Sequence, residues 1–137
     1  MKQCFMFAAL CAVVLLGSCS DKDDEAKGNL LGTWLSTESY EYINGSWVKD
    51  ELYSEPECPA GEYYTLTFID DSHVRVIEED YDYGTTFYSF KNNILSIDVF
   101  LTDWEVEELT SDRMVVLKKV MGDDYGMLDE RVVFRKE

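Results

Sequence analysis

From residue 30 onward, apolar and polar side chains alternate in short runs, and turn-forming residues separate one run from the next. Residues 86–90 carry Thr, Tyr and Phe on one face, residues 91–93 supply a Lys-Asn-Asn turn, and the apolar side chains of residues 95–99 alternate again. A period of two is typical of strands with one buried face, and the intervening turn predicts a hairpin. The chain is therefore expected to be all-β.

The same pattern repeats along the chain with little room for other structure. Asn44-Gly45 between two aromatic-rich runs is a strong signal for a two-residue hairpin. No segment after the apolar N-terminus shows a convincing helical stripe. We expect about eight or nine strands in an antiparallel up-and-down β-barrel, with a sandwich as the alternative. The expected inward-facing residues include Leu66, Phe68, Val74, Val76, Tyr88, Phe90, Leu95, Ile97, Val99, Trp104, Val106, Val115, Leu117, Val132 and Phe134.

The first eighteen residues have the features of an export signal. Lys2 precedes an apolar run at residues 5–16, which is too short for a spanning helix and ends in Leu16-Gly17-Ser18. With Cys19, this sequence resembles the lipobox of bacterial lipoproteins. The resemblance implies that residues 1–18 are removed and that Cys19 is acylated, with more than one chain, which anchors a protein stably. Cys58 is then the one free thiol, and we expect a small, half-buried loop residue there.

Residues 19–29 are expected to form the lipidated N-terminus and a flexible acidic tether, and residues 30–137 a single barrel domain. The cluster Asp21-Lys22-Asp23-Asp24-Glu25 resembles the signal that sends lipoproteins of the Bacteroidetes to the outer face of the outer membrane. This resemblance implies cell-surface display, with the periplasmic face as the alternative. The net charge of −16 excludes nucleic acid as a partner, because the chain repels polyanions.

Three stretches of the barrel domain resemble small lipocalin-like domains of Bacteroidetes lipoproteins. Leu30-Leu31-Gly32-Thr33-Trp34 resembles the Gly-x-Trp opening of lipocalins. The other two are an apolar strand that ends in an acidic turn at residues 66–71 and a late strand at residues 109–117. The chain also ends close to an aromatic residue, Phe134.

The resemblance implies an eight-stranded barrel that is closed at one end by Gly32 and Trp34. In lipocalins an arginine near the end of the chain stacks on this tryptophan, and Arg131 and Arg135 are the candidates by position. The resemblance also implies a small apolar or amphiphilic ligand in or at the mouth of the barrel. The candidate lining residues are Leu66, Phe68, Tyr88, Phe90 and Trp104. An eight-stranded barrel is either filled by its own side chains or holds one small ligand, and chain length does not decide between these.

The residues give little support for catalysis or metal binding. The one histidine, His73, begins a strand on the expected outer face, and a zinc site of ordinary composition needs more ligands of this kind. The acidic runs at residues 78–84 and 122–126 lack the spacing of a dedicated calcium loop and are expected to be solvated turns. We therefore expect no enzyme activity, no cofactor and no metal.

Two hypotheses of function remain from the sequence. The first is a monomeric, membrane-anchored binding module that takes a small apolar ligand in its barrel. The second is a filled barrel that displays acidic, tyrosine-rich loops to a surface partner or a glycan. The tyrosines in or beside polar turns are Tyr40, Tyr42, Tyr81, Tyr83 and Tyr125.

Overall fold

The structure, a computed structural model, describes residues 26–50, 63–121 and 126–137, which form nine strands. The strands are β1 (Gly32–Ile43), β2 (Ser46–Lys49), β3 (Tyr64–Phe68), β4 (His73–Glu78), β5 (Tyr81–Lys91), β6 (Ile94–Ile97), β7 (Trp104–Leu109), β8 (Arg113–Met121) and β9 (Met127–Lys136). All neighbouring strands pair antiparallel. From β3 to β9 each strand pairs with the next one in sequence, whereas β3 pairs with β1 and not with β2, which lies on the other side of β1.

Two of the hairpins have the turn geometry that their sequences predict. Asn44 and Gly45 both have positive φ, at 51° and 83°, and they join β1 to β2. Asn92 and Asn93 also have positive φ, at 52° and 61°, and join β5 to β6. Two consecutive residues of this kind form the turn whose twist matches that of paired strands. Local turn chemistry therefore sets the register of both hairpins.

The sheet closes into a barrel because β1 pairs with β9, the last strand, as well as with β3. β1 is long enough to serve both neighbours: its first residues pair with β3, and its last residues pair with β2, which lies outside the eight-stranded cylinder. A register shift between Ser36 and Glu38 marks a bulge in β1, and such bulges bend a strand. The predicted closed antiparallel barrel is confirmed, and the sandwich alternative is wrong.

Alternating side chains fill the barrel interior. The fully buried residues include Trp34, Leu66, Val74, Val76, Met114, Val116, Val132 and Phe134. On β8 the inward residues are thus Met114 and Val116, so the prediction of Val115 and Leu117 as inward residues is wrong. The run from Met114 to Leu117 is apolar on both faces, so alternation alone cannot choose a phase. Val99, predicted to continue β6, lies in the following turn and packs on the core from there.

Residues 26–30 are helical and cover the end of the barrel at which β1 begins. Leu30 is fully buried, and Ala26 packs against the same core. The prediction of a flexible tether through residue 29 is therefore wrong for residues 26–29. Ala26 and Leu30 are four residues apart, so one helical turn places both side chains on the same face. Within the described ranges no helix has the length and apolar character needed to span a membrane.

Candidate functional site

Two adjoining cavities open at the end of the barrel opposite the helical segment, and together they are called the mouth. The larger has a volume of about 520 Å3 and the smaller about 200 Å3. Tyr64, Glu78, Lys118 and Val120 line both of them. These residues come from three strands, β3, β4 and β8, so the barrel closure brings them together.

The mouth holds a buried ion pair. Lys118 and Glu130 are directly opposite each other on β8 and β9, and both lie in the inward phase of their strands. Lys118 Nζ is 3.3 Å from Glu130 Oε1, and the two side chains are 8% and 13% exposed. Charges taken out of water in this way are tolerated only when they are paired and hydrogen-bonded. The strand register therefore explains why a lysine can lie inside this barrel.

Aromatic side chains complete the surroundings of the Lys118 ammonium. It donates a hydrogen bond to the hydroxyl of Tyr64. It also lies 4.4 Å from the centroid of the Tyr64 ring and 5.5 Å from that of Trp104. Ring faces attract cations electrostatically at such distances. Lys118 is thus held by a carboxylate, a hydroxyl and two rings.

Tyr64 connects this ion pair to Glu78 on the neighbouring strand. Burial raises the pKa of the Tyr64 hydroxyl above its ordinary 10.0, and the negative charges of Glu78 and Glu130 raise this pKa further. The hydroxyl therefore stays protonated at neutral pH. Glu78 also accepts a hydrogen bond from the Tyr83 hydroxyl, at 3.1 Å. Tyr83 reaches Glu78 from β5, where a register shift opposite Val76 and Ile77 interrupts the pairing with β4.

The wall of the larger cavity is mainly apolar. Phe100 and Trp104 stack with ring centroids 4.7 Å apart and planes 21° apart, and the Tyr64 ring meets both of them edge-on. Leu101, in the turn before β7, projects fully into solvent at the rim of this cavity. Pockets for small molecules usually combine such walls with a few polar groups that fix orientation.

Only one of the five predicted lining residues, Trp104, lines the mouth. Leu66, Phe68, Tyr88 and Phe90 face inward as expected, but they are buried in the core and line neither cavity of the mouth. Phe68 and Tyr88 pack edge to face with centroids 4.8 Å apart. The Tyr88 hydroxyl donates to the carbonyl of Asp70, at 2.7 Å. These four residues therefore fill the barrel below the mouth.

Four residues of the mouth are not predicted as site residues from the sequence: Tyr64, Glu78, Lys118 and Glu130. A signal for two of them was present, since Tyr64 is in phase with Leu66 and Phe68, and Lys118 is two residues beyond Val116. A polar residue in the buried phase of a strand is unusual enough to mark a site. The partner of Lys118 could not be identified from its own strand.

Trp34 is fully buried near the end of the barrel that the helical segment covers, and a lysine lies over its ring instead of one of the two predicted arginines. The indole Nε1 of Trp34 donates to the carbonyl of Leu30 at 2.7 Å, which ties β1 to the helical segment. Lys136 Nζ lies 4.9 Å from the centroid of Trp34 and donates to the carbonyl of Asn29, at 2.7 Å. Gly32 has a φ of 115°, and a Cβ there would lie 3.3 Å from Lys136 Cε.

The prediction that Arg131 or Arg135 stacks on Trp34 is therefore wrong. In β9 the even-numbered residues face inward, so both arginines lie on the outer face of the barrel. Arg131 instead stacks on Trp47, with Cζ 4.1 Å from the ring centroid, and forms two hydrogen bonds with the Glu107 carboxylate. Arg135 is exposed.

The other predicted positions are outside the mouth or outside the described residues. His73 lies on the outer face, with Nδ1 2.9 Å from Asp70 Oδ1. No cluster of three or more potential metal ligands occurs among the described residues. Cys19, Cys58 and Tyr125 lie outside the described ranges. Tyr42, Tyr81 and Tyr83 are exposed, whereas Tyr40 is partly buried.

Comparison of the chain with models of known protein families and with curated proteins finds no match.

Proposed function

We propose that this protein is a membrane-anchored, lipocalin-like binding protein that takes one small apolar or amphiphilic ligand at the mouth of its barrel. The observation that carries the proposal is the larger cavity, with a volume of about 520 Å3 and a wall of Phe100, Trp104 and Val99. Ligand pockets commonly have volumes of about 300 to 1,000 Å3. The filled barrel below restricts the ligand to the mouth.

The position of the proposed anchor fits this function. The chain that leads to Cys19 joins the barrel at the helical segment, and that segment covers the end opposite the mouth. Seven Cα–Cα steps separate Cys19 from Ala26, and they span at most about 25 Å. We propose that acylation of Cys19 holds the protein at the outer membrane, at the cell surface or on the periplasmic face. The mouth then faces away from the lipid.

Uptake of a neutral apolar dye tests the proposal. The unacylated chain from Ser20 onward contains every described element, and we expect it to bind N-phenyl-1-naphthylamine saturably, with a rise in dye fluorescence. Val120 lines both cavities, so Val120→Phe fills the space and should abolish the uptake. Val48→Phe is the matched control, because Val48 is exposed on β2. Unsaturable uptake, or uptake that Val120→Phe leaves unchanged, would contradict the proposal.

The alternative, contact with a glycan or a surface partner, is favoured by one observation. Tyr81 and Tyr83 are 64% and 40% exposed, and their rings pair edge to face with centroids 4.7 Å apart. Exposed rings beside carboxylates are suited to stacking on sugars. A glycan array probed with the same chain tests this function, and Tyr81→Ala should remove any signal that Phe87→Ala, at another exposed ring of β5, retains. A signal equally sensitive to both variants would contradict it.

A further inference from the structure

The charges that line the mouth are mostly negative. Within the described residues the carboxylates are Asp50, Glu78, Glu79 and Glu130, and the cations are Lys118 and Lys119. Both lysines already have carboxylate partners, Glu130 for Lys118 and Asp129 for Lys119. An anionic headgroup that entered the mouth would have to compete with these partners. A cationic headgroup is repelled by the two lysines, but the more numerous carboxylates attract it and it displaces no ion-pair partner.

Glu78 is the carboxylate at the centre of this surface. It lines both cavities, and it lies opposite Tyr64 on the inward phase of β4. Its hydrogen bond from Tyr83 leaves its negative charge in place, because a hydroxyl donor carries no net charge. In the described part of the chain no lysine or arginine is within ion-pair distance of it. The negative charge of Glu78 is therefore available to a ligand.

The rings of the mouth already bind one cation, the ammonium of Lys118, over Tyr64 and Trp104. Further rings lie next to Glu78: Tyr83 donates to it, and the Tyr83 and Phe100 centroids are 6.5 Å apart. Carboxylate and ring faces both favour positive charge, and the effect of a ring grows as water is excluded. The cavity that holds Glu78 thus combines an apolar wall with an environment for a cation.

From this arrangement we infer that the mouth selects a protonated amine with an apolar body. The ammonium binds beside Glu78, and the apolar body packs on Phe100 and Trp104. The inference rests on the proposed function, since it names the class of amphiphile that the mouth accepts. An anionic amphiphile of the same length is disfavoured, because its headgroup faces Glu78 and has to displace Glu130 from Lys118.

Three probes of equal chain length separate charge from apolar contact. Octylamine is protonated at neutral pH, octanoate is anionic, and octan-1-ol is neutral. Each is titrated against the chain from Ser20 onward at pH 7, with displacement of N-phenyl-1-naphthylamine as the signal and calorimetry as an independent measurement. We expect octylamine to bind about tenfold more tightly than octanoate, which corresponds to a modest difference in binding free energy. Added salt should reduce this ratio, because the selective contact is electrostatic.

Glu78→Gln tests the position of the ammonium. The substitution keeps the shape and an acceptor for Tyr83 but removes the charge, so octylamine should lose about tenfold in affinity while octan-1-ol is unaffected. Glu105→Gln is the matched control, because Glu105 is exposed on the outer face of β7 and its loss changes the net charge equally. We expect it to leave all three affinities unchanged.

The outcomes separate this inference from the proposed function. If octanoate binds as tightly as octylamine, the selection of an amine is wrong, and the mouth is still a binding site. If octylamine is preferred but Glu78→Gln does not weaken it, the placement of the ammonium is wrong. If the dye and all three probes fail to bind, the proposed function and the inference both fail. The preference of the unmodified protein decides the inference even where Glu78→Gln does not fold.

Discussion

Lys118 on β8 and Glu130 on β9 form an ion pair inside the barrel mouth, with Nζ 3.3 Å from Oε1 and both side chains largely buried. Burying two charges costs free energy that their attraction only partly offsets, so such a pair is weak evidence for added stability. Its effect here is positional. The pair fixes the ammonium over Tyr64 and Trp104, and this keeps polar groups at the edge of an otherwise apolar core.

Removing one partner of this pair should be destabilising. Lys118→Met leaves the Glu130 carboxylate without its cation and the Tyr64 hydroxyl without a donor, and we expect a loss of about 3 to 5 kcal/mol in the free energy of unfolding. Urea denaturation measures it. In the double variant Lys118→Met/Glu130→Gln no charge remains uncompensated, so its cost should be smaller than the sum of the two single costs.

Lys119→Met is the control for this prediction. Lys119 borders the larger cavity, but it pairs with Asp129 where both side chains are well exposed, at 59% and 37%. Surface pairs of this kind contribute about 0 to 1 kcal/mol, so a small change is expected. Equal costs for Lys118→Met and Lys119→Met would contradict the assignment of Lys118 to the buried mouth.

Lys136 should contribute more to stability than Arg135 of the same strand. Lys136→Ala removes the cation from the face of Trp34 and the hydrogen bond to the carbonyl of Asn29, and we expect a cost of about 1 to 2 kcal/mol. Thermal and urea unfolding measure this cost. Arg135→Ala is the control, because Arg135 is exposed, and it should stay within about 0.5 kcal/mol of the unmodified protein. A larger cost for Arg135→Ala than for Lys136→Ala would contradict the assignment of Lys136 as the cation over Trp34.

The fold could be predicted from sequence because its main determinants are local. Asn44-Gly45 and Asn92-Asn93 adopt the left-handed backbone that hairpin turns require. Alternation identified most inward-facing residues. It failed in β8, where Met114 to Leu117 are apolar on both faces. The helical residues 26–30 were also missed, since one turn is too short to produce a visible period.

The mouth could not be predicted in the same way because it depends on contacts between strands. Alternation tells which residues face inward, but it does not tell their depth along the barrel. Phe68 and Trp104 both point inward, yet only Trp104 lines the mouth. The wrong prediction of an arginine over Trp34 has the same origin. The phase of β9 decides which basic side chain faces inward, and in the structure that side chain is Lys136.

The ionised Asp70 carboxylate should stabilise the fold, and this stabilisation should be lost in acid. Hydrogen bonds from the Ser72 backbone and from His73 lower the pKa of Asp70 from 3.8 to about 2. A carboxyl whose pKa is lower in the folded state stabilises that state above its unfolded pKa, and this stabilisation is lost as the pH falls from about 4 to about 2. Asp70→Asn should remove this part of the pH dependence, which urea unfolding at several pH values measures.

The pKa of Asp70 can also be read directly from the titration of its carboxyl signal in an NMR spectrum. Asp71→Asn is the matched control, because among the described residues the Asp71 carboxylate accepts no hydrogen bond. We expect this control to keep the acid-dependent loss. A measured pKa near 3.8 for Asp70 would contradict the hydrogen-bonded turn.

Acylation of Cys19 should determine where the protein is found. In a bacterial host that processes lipoproteins, the chain should incorporate an alkyne analogue of palmitate and sediment with membranes. Cys19→Ser should abolish both the label and the sedimentation, because a hydroxyl cannot form the thioether of a lipoprotein anchor. Cys58→Ser is the control, since the remaining cysteine after residue 19 should carry no lipid. If Cys19→Ser retained the label and Cys58→Ser lost it, Cys58 and not Cys19 would carry the lipid. Membrane association without any label would show that the protein is held by another contact.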